Sequence, residues 1–271
     1  MRVLIPRGGS WGDDVAQRVT DAGFEPLILP LVQIDPAEDQ QQLQIMLGHL
    51  ADGRFDWLVV TSQSTVRVLP RVPASVSVAA VGSVTAAALR ERGVPVAFIP
   101  TKQSAAGLVD EWPIREGRVL WPHALDAKPT IAAGLRQHGM QVSEVVAYRT
   151  TPVFGSSDEL LDAAQTGVMP IMDADVVRHQ EELQAAGQDG DEGVLTAVEP
   201  AETPIDAVLV TSGSVAKQVA RLGLAPGTRI VAIGEQTAED CRCAGLRVAA
   251  IAARPNAEAL VAALVSTADA R

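Results

Sequence analysis

The chain repeats itself at a constant offset, and this internal repeat constrains the fold more than any other feature of the sequence. Residues 78–109 match residues 230–261 at an offset of 152. The matched pairs include Ala80 with Ala232, Gly82 with Gly234, Thr85 with Thr237, Ala86 with Ala238, Arg90 with Arg242 and Gly93 with Gly245. Solenoid repeats recur every 20 to 50 residues or so, so an offset this large indicates duplication of a whole domain.

The repeated segments occur in a different order in the two halves. Val60-Thr61-Ser62-Gln63-Ser64 matches Val210-Thr211-Ser212-Gly213-Ser214 at an offset of 150, and the start of the chain, Arg2 to Pro6, matches Arg118 to Pro122 at an offset of 116. The halves are therefore circular permutants. This order predicts an inserted domain over about 37–150 within a discontinuous domain made of 1–34 and 154–271. Asp35-Pro36 and Thr151-Pro152 lie at the two crossings, where proline favours extended linkers.

Each half alternates short apolar runs with helical stretches. Unbroken apolar runs of this kind are typical of parallel strands that are buried on both faces. The predicted strands are Trp57–Val60, Val76–Val81, Val96–Ile99, Val119–Trp121 and Val142–Ala147 in one half, and Val3–Ile5, Leu27–Leu29, Ala207–Val210, Arg229–Ile233 and Val248–Ile251 in the other. The predicted helices Ser83–Arg92 and Glu235–Ala244 each end before a glycine, as helices commonly do. The pattern predicts an α/β protein with two doubly wound parallel sheets.

Residues 167–204 have no counterpart of equal length in the repeat. This segment is acidic and carries glycine and proline, as in Gln188–Gly193 and Glu199–Glu202. We expect a solvated insertion with one short helix over about Val176–Ala185.

Charge and cysteine content exclude several classes of function. The chain has 22 Lys and Arg against 33 Asp and Glu, a formal net charge of −11, so a nucleic-acid-binding surface is not expected. Cys241 and Cys243 cannot build a disulfide scaffold and, two positions apart on a helix, do not converge on a metal. No apolar run approaches the roughly 18 residues of a membrane helix, and Val3–Ile5 is too short for a signal peptide. We expect a cytoplasmic protein without nucleic-acid or membrane partners.

Small polar residues and glycines follow the predicted strands at their carboxyl ends, where open parallel sheets bind ligands. They are Thr61, Ser62, Gly82 and Thr85 in one half and Thr211, Ser212, Gly234 and Thr237 in the other. Helix N-termini at such positions can bind anions, but the same residues also serve as ordinary N-caps, so both interpretations stay open. Tyr148, the sole tyrosine, follows Val142–Ala147 at a domain crossing. Its phenol can donate a proton to a leaving oxygen, or it can simply pack at the domain seam.

Several motifs of other enzyme classes are missing from the sequence. No Gly-x-Gly-x-x-Gly follows a strand, no Walker A motif occurs, and the glycine-rich stretch Pro6–Gly12 fits neither spacing. A nucleotide-dependent dehydrogenase or glycosyltransferase is therefore disfavoured, as is a periplasmic solute binder without an export signal. His123, which follows Val119–Trp121, is a candidate site residue, whereas His138 suits a helix C-terminus.

Five motifs together resemble the uroporphyrinogen-III synthase family. They are Val59-Val60-Thr61-Ser62, Ala80-Val81-Gly82-x-x-Thr85-Ala86, Val145-Val146-Ala147-Tyr148-Arg149-Thr150, Val208-Leu209-Val210-Thr211-Ser212-x-Ser214 and Ala232-Ile233-Gly234-x-x-Thr237-Ala238. Their order and spacing agree over nearly the whole chain outside 167–204. The resemblance implies two flavodoxin-like domains joined by a two-stranded linker, with no cofactor and no metal. We expect a monomer, because such a linker allows domain motion.

The resemblance also implies an activity. Hydroxymethylbilane, a linear tetrapyrrole with eight carboxylates, would be closed to uroporphyrinogen III with loss of water and inversion of ring D, after hand-over from hydroxymethylbilane synthase. Tyr148 would assist departure of the ring A hydroxyl. The implied substrate-binding residues are Arg7, Thr61, Ser62, Gly82, Thr85, Thr211, Ser212, Ser214, Gly234 and Thr237. This chain departs from the family where His123 replaces a common arginine, where Gly8 replaces a proline and in the insertion. An inactive tetrapyrrole- or anion-binding relative is the alternative.

Overall fold

The computed structural model describes residues 1–167, residue 169 and residues 205–268. The helix expected over about Val176–Ala185 lies outside these residues. The chain divides into two compact units, one formed by Met1–Gln33 with Thr151–Arg271 and the other by Ile34–Thr150. None of the described helices is long and apolar enough for a membrane crossing.

The described elements alternate between strands and helices along the chain. In order they are β1 (Arg2–Ile5), α1 (Gly9–Asp21), β2 (Glu25–Ile28), β3 (Val32–Pro36), α2 (Gln40–Ala51), β4 (Trp57–Val60), α3 (Gln63–Val68), β5 (Ser77–Ala80), α4 (Ser83–Glu91), α5 (Ala105–Asp110), β6 (Arg118–Ala124), α6 (Thr130–Gln137), β7 (Gln141–Pro152), α7 (Ser157–Thr166), β8 (Ala207–Val210), α8 (Gly213–Leu222), β9 (Arg229–Ala232), α9 (Glu235–Cys243), β10 (Val248–Ile251) and α10 (Ala257–Ala268).

The first unit is a doubly wound sheet with strand order β10-β9-β8-β1-β2, and all its strand pairs are parallel. Read from β2, this is the 2-1-3-4-5 order of flavodoxin-like folds. Its strands bury alternate residues in two different cores. Leu4 belongs to a cluster with Leu160 and Val219, whereas Val3 belongs to one with Val15 and Leu264. Helices therefore cover both faces of the sheet, as predicted.

The second unit has strand order β3-β7-β6-β4-β5, with parallel pairing of β7 with β6, β6 with β4 and β4 with β5. Four strands of this sheet have counterparts in the first unit: β7 corresponds to β2, β6 to β1, β4 to β8 and β5 to β9. Four strands of each sheet thus share one order after circular permutation, while the fifth strands, β10 and β3, lie at opposite edges. The predicted fold class is confirmed. The boundaries between the units fall within β3 and β7, which are neighbours in this sheet.

One predicted strand is wrong. The sequence predicts Val96–Ile99 as the fifth strand of the second unit, but the structure shows only an isolated bridge between Ala79 and Phe98, and the fifth strand of this sheet is β3. Its repeat counterpart Val248–Ile251 is the paired strand β10, which Ala252 extends by donating from its N–H to the Ala232 carbonyl at 2.9 Å. Pro100 occupies the position of Ala252 in the repeat and has no N–H to donate, so proline limits the pairing here.

Candidate functional site

Tyr148 and Ser62 meet at the carboxyl edge of the second sheet. The Tyr148 hydroxyl donates a hydrogen bond to Ser62 Oγ at 2.9 Å. Tyr148 lies on β7 just after a register shift, because His123 pairs with Val146 but Ala124 pairs with Tyr148. Ala147 is therefore an extra residue, and bulges of this kind re-aim side chains beside functional sites.

Ser62 is held in place by the helix that it begins. It is the N-cap of α3, and its Oγ accepts from the Thr65 N–H at 3.2 Å. The Thr65 hydroxyl also lies 3.2 Å from Ser62 Oγ. Ser62 therefore caps the helix, as one interpretation predicted, and also accepts a hydrogen bond from the phenol. Thr61, which is half-buried, lies between the end of β4 and Ser62.

The Tyr148 phenol is kept neutral at ordinary pH. Burial raises the pKa of Tyr148 above 10.0, because a phenolate loses solvation in this half-buried position, while the hydrogen bond with Ser62 opposes that rise. The negative charge of Asp126 adds to the rise. A neutral phenol beside a serine hydroxyl is a proton donor whose own oxygen can accept a hydrogen bond from Ser62.

The loop that begins α4 is covered by a glutamine. Gly82 is the N-cap of α4, and Gln103 Oε1 accepts hydrogen bonds from Ser83 N–H at 2.9 Å and from Ser83 Oγ at 3.2 Å. The Gln103 amide oxygen thus accepts the hydrogen bond of the first backbone N–H group of α4. Thr85 is only 6% exposed, so its side chain faces the core of the unit.

The loop after β8 in the first unit repeats the Ser62 arrangement without a tyrosine. Ser212 is the N-cap of α8, and its Oγ accepts from the Val215 N–H at 3.3 Å. Thr211 and Ser214 flank it, both half-buried. A Cβ on Gly213 would lie 2.6 Å from Asp240 Oδ2, so a carboxylate already packs against the first residue of this helix.

The loop that begins α9 is open. Gly234 is the N-cap of α9 without a side-chain cap, and a Cβ built on it would meet no atom within 4 Å. This N-terminus therefore differs from that of α4, where Gln103 covers Gly82. Thr237 is 8% exposed and matches the buried position of Thr85.

Arg7 follows β1 and extends over an aromatic ring. Its guanidinium carbon lies 5.3 Å from the Trp11 ring centroid, which is cation–π distance. Gly8 is the N-cap of α1 without a side-chain cap. Gly12, in the first turn, packs so closely that a Cβ would collide with the Arg7 carbonyl oxygen. Arg7 is therefore an exposed cation on a tightly packed turn.

His123 is engaged in local contacts. Its Nδ1 lies 2.7 Å from the Ala124 carbonyl oxygen, and its ring packs against Trp121 with 4.5 Å between centroids and an interplanar angle of 39°. Its Nε2 lies 3.9 Å from Glu144 Oε1, and Glu144 also pairs with Arg136 at 2.6 Å. These contacts give His123 a structural role at the sheet edge.

A cavity of about 920 Å³ in the second unit lies elsewhere. Its lining includes Leu69 and Arg71, which follow α3, and Leu89, Arg92 and Pro95, which lie in the last turn of α4 and just after it. That is the amino edge of the sheet, opposite Tyr148, so this cavity is not part of the site. Within the described residues no group of three or more His, Cys, Asp or Glu could hold a metal ion.

Comparison with known proteins identifies the family. A family profile described as uroporphyrinogen-III synthase HemD matches residues 13–262. The chain belongs to the uroporphyrinogen-III synthase family. A uroporphyrinogen-III synthase from Synechococcus elongatus is 26% identical over 162 residues, an alignment that covers 55% of this chain and 60% of that relative. The chain thus spans less than two thirds of the length of this curated relative.

Solved structures agree on the fold. A mutant uroporphyrinogen III synthase from the extremely thermophilic bacterium Thermus thermophilus superposes with a TM-score of 0.64 at 17% identity, covering 100% of both chains. A uroporphyrinogen-III synthetase from Helicobacter pylori gives a TM-score of 0.54 at 17% identity, covering 98% of this chain and 99% of the other. At these identities, similarity to uroporphyrinogen-III synthases in structure concerns the architecture alone.

Sequence reasoning found Tyr148 and Ser62 separately but missed two neighbours of the candidate binding loops. Gln103 covers the start of α4, and Asp240 packs on Gly213. The repeat gave a partial indication of a difference between the two units at this position. Gln103 aligns with Pro255, which has no hydrogen-bonding side chain. The direction in which Gln103 points depends on packing that no local pattern shows.

Proposed function

We propose that the chain is a uroporphyrinogen-III synthase, which closes hydroxymethylbilane to uroporphyrinogen III. Family membership supports this proposal, and the pairing of Tyr148 with Ser62 is the observation that carries it. In this reaction ring A loses its hydroxyl as water and becomes an azafulvene cation. The substituted carbon of ring D attacks that cation to form a spiro intermediate, from which ring D is inverted before the macrocycle closes.

Tyr148 assists the departure of water. Its phenol is neutral, so its O–H can hydrogen-bond to the leaving hydroxyl or protonate it. In the free protein that proton is directed at Ser62 Oγ. When substrate takes the phenol proton, the Ser62 hydroxyl rotates and donates to the Tyr148 oxygen, which limits the charge that builds up there.

Loops at the carboxyl edge of each sheet bind the peripheral carboxylates. Backbone N–H groups at helix N-termini and hydroxyl groups supply the hydrogen bonds, with Arg7 as a cation. The direct contacts are assigned to Arg7, Thr61, Ser62, Gly82, Thr211, Ser212, Ser214 and Gly234. Thr85 and Thr237 are nearly buried, so they support the helix turns beneath those loops.

Isomer selection is mainly an orientation effect. Closure without an enzyme joins ring A to the free position of ring D and gives the type I isomer. The protein has to hold ring D so that its substituted carbon meets the cation first, and correct positioning alone can contribute several kcal/mol. Several weak carboxylate-binding contacts distributed over the loops suit this task better than one strong contact.

The organisation of the enzyme is proposed with its activity. One domain comprises residues 37–150. The other comprises residues 1–34 and 154–271 and contains an insertion at 167–204. The division of the chain into two compact units supports this assignment. The protein works as a monomer in the cytoplasm and receives substrate from hydroxymethylbilane synthase. Sedimentation at several protein concentrations tests the monomer, and cell fractionation tests the location.

A coupled assay tests the function. Hydroxymethylbilane is generated in place, the products are oxidised, and the type I and type III isomers are separated by chromatography. We expect mainly type III product, and none above background after heat inactivation of the protein. Type I product alone, equal to the control without protein, contradicts the proposal. It would leave a non-catalytic tetrapyrrole-binding relative, which His123 in place of the family's common arginine would then help explain.

A further inference from the structure

A short turn in the second unit recurs in the first unit with the same hydrogen bond. Before α5, the Ser104 N–H donates to the Lys102 carbonyl at 2.7 Å. Before α10, the Asn256 N–H donates to the Arg254 carbonyl at 2.9 Å. The two turns are 152 residues apart, which is the offset of the internal repeat. Both turns therefore hold a basic residue two positions before a helix N-cap.

The helices that follow are capped in the same way. Gly107 N–H donates to Ser104 Oγ at 3.0 Å, and Ala259 N–H donates to Asn256 Oδ1 at 2.9 Å. The shared cap fixes the backbone of each turn relative to its helix. The basic side chains thus start from equivalent, well-defined positions in the two units, although one is lysine and the other arginine.

Neither basic side chain is engaged within the described part of the protein. Lys102 and Arg254 are exposed, and among the described residues neither the Lys102 ammonium nor the Arg254 guanidinium has a hydrogen-bond or ion-pair partner. The Glu111 carboxylate accepts hydrogen bonds from the backbone N–H groups of Thr101 and Lys102 at 2.8 and 3.2 Å, not from the Lys102 ammonium. The backbone at Lys102 is thus anchored while its charge stays available.

Each cation lies at the edge that carries the binding loops of its own unit. Gln103, next to Lys102, reaches the start of α4 and lies 3.2 Å from the Cβ position of Gly82. In the first unit Ile251 pairs with Ala232, so Arg254 and Gly234 follow neighbouring strands at the same edge. The amides and hydroxyls in these loops are neutral, and the chain as a whole carries −11. A substrate rich in carboxylates therefore needs local positive charge here.

We propose that Lys102 and Arg254 bind carboxylates of the polycarboxylate substrate, one cation from each repeat. This inference rests on the proposed function and adds two specificity-determining residues that the family motifs do not include. Both side chains are long and exposed, so each contributes a modest part of substrate affinity and has no contact with the reacting atoms.

Neutral variants with matched controls test the inference. The test variants are Lys102→Gln, Arg254→Gln and the double variant, with Lys102→Arg and Arg254→Lys as conservative replacements. The controls are Arg90→Gln at the end of α4 and Arg247→Gln just before β10, which remove the same charge at the opposite edge of each sheet. Kinetic constants are measured in the coupled assay at two salt concentrations, and the affinity for uroporphyrin I, an octacarboxylate, is measured separately by tryptophan fluorescence quenching.

We expect each test variant to raise KM about threefold to fivefold, in the range of exposed ion pairs, with kcat within about twofold of the parent. The double variant should raise KM by about tenfold or more and lose much of the salt dependence of KM. The conservative variants should restore KM, and the controls should leave it unchanged. Equal KM and equal uroporphyrin affinity in the double variant and the controls would overturn the inference.

The binding measurement separates this inference from the proposed function. If the parent protein forms no type III isomer yet binds uroporphyrin I more tightly than the double variant does, the proposed activity fails and the two cations keep their role. If type III product forms and neither KM nor affinity changes, the activity stands and the cations have no part in binding.

Discussion

Replacing Tyr148 by phenylalanine should nearly abolish selective ring closure and leave the fold intact. If the phenol donates its proton to the leaving hydroxyl, its loss should slow formation of the type III isomer by about 10²- to 10⁴-fold, the usual range for general acids. The structural cost is small, because the substitution removes one neutral hydrogen bond, to Ser62 at 2.9 Å. Such a bond contributes about 0.5–1.5 kcal/mol to the free energy of unfolding.

The hydrogen bond itself can be measured with a double-mutant cycle. Ser62→Ala removes both the bond to Tyr148 and the cap of α3, and the cap alone is worth about 1 kcal/mol. In the Tyr148→Phe background only the cap remains to be lost, so Ser62→Ala should cost about 0.5–1.5 kcal/mol less there. Urea unfolding followed by tryptophan fluorescence reports on this unit, which contains Trp57, Trp112 and Trp121.

Ser212→Ala is the matched control for that cycle. Ser212 caps α8 in the first unit as Ser62 caps α3, but its Oγ has no tyrosine partner. Its loss should cost about 1 kcal/mol and show no coupling to Tyr148→Phe. Additive effects of Tyr148→Phe and Ser62→Ala would refute the hydrogen bond as an energetic contact. A Tyr148→Phe enzyme with the parent's rate and type III fraction would refute the proton-donating role.

Three further predictions concern single groups. Tyr148 is the only tyrosine, so absorbance at 295 nm should show its phenol ionising above pH 10.0 in the folded protein and near 10.0 in denaturant. Stability should accordingly fall as pH rises past 10.0, less so in Tyr148→Phe; coincident titrations would contradict this. Gly12→Ala should destabilise the protein in urea unfolding, because the Cβ collides with a backbone carbonyl, whereas Gly48→Ala, on an exposed face of α2 with open space, should stabilise it by up to about 1 kcal/mol. In the folded protein a thiol reagent should modify Cys243 only, because Cys241 is buried and burial raises its pKa to about 11; two modified thiols before unfolding would contradict the packing.

The apolar runs located nine of the ten predicted strands because a buried parallel strand needs little more than a short β-rich apolar segment. Val96–Ile99 has that composition and still fails to become a strand. Its neighbour Pro100 occupies the position at which Ala252 donates a hydrogen bond in the repeat, and proline has no N–H to donate. The prediction considered only the apolar composition and therefore missed the effect of this one absent donor. Conversely, the sequence does not predict β3, because Val32–Pro36 has the composition of a crossing between domains.

The candidate site was predictable as residue types and loops but not as contacts. Glycine and serine N-caps follow from local backbone chemistry, and Ser62 and Ser212 cap their helices as expected. The burial of Thr85 and Thr237 follows from the faces that α4 and α9 turn to the core. The orientation of these two helices depends on tertiary packing, so the motif spacing did not predict that the two threonines are buried.

The sequence by itself determined the duplication, the permuted order and the set of polar residues at the strand ends, because these depend on composition and spacing along the chain. Only the tertiary structure decided that Tyr148 meets Ser62, 86 residues away, through a bulge at Ala147. It also decided that Gln103 covers one helix start while Gly234 leaves another open. Hydrogen bonds between distant residues depend on strand register and on the packing of loops over the sheet, and these are set only when the whole chain has folded.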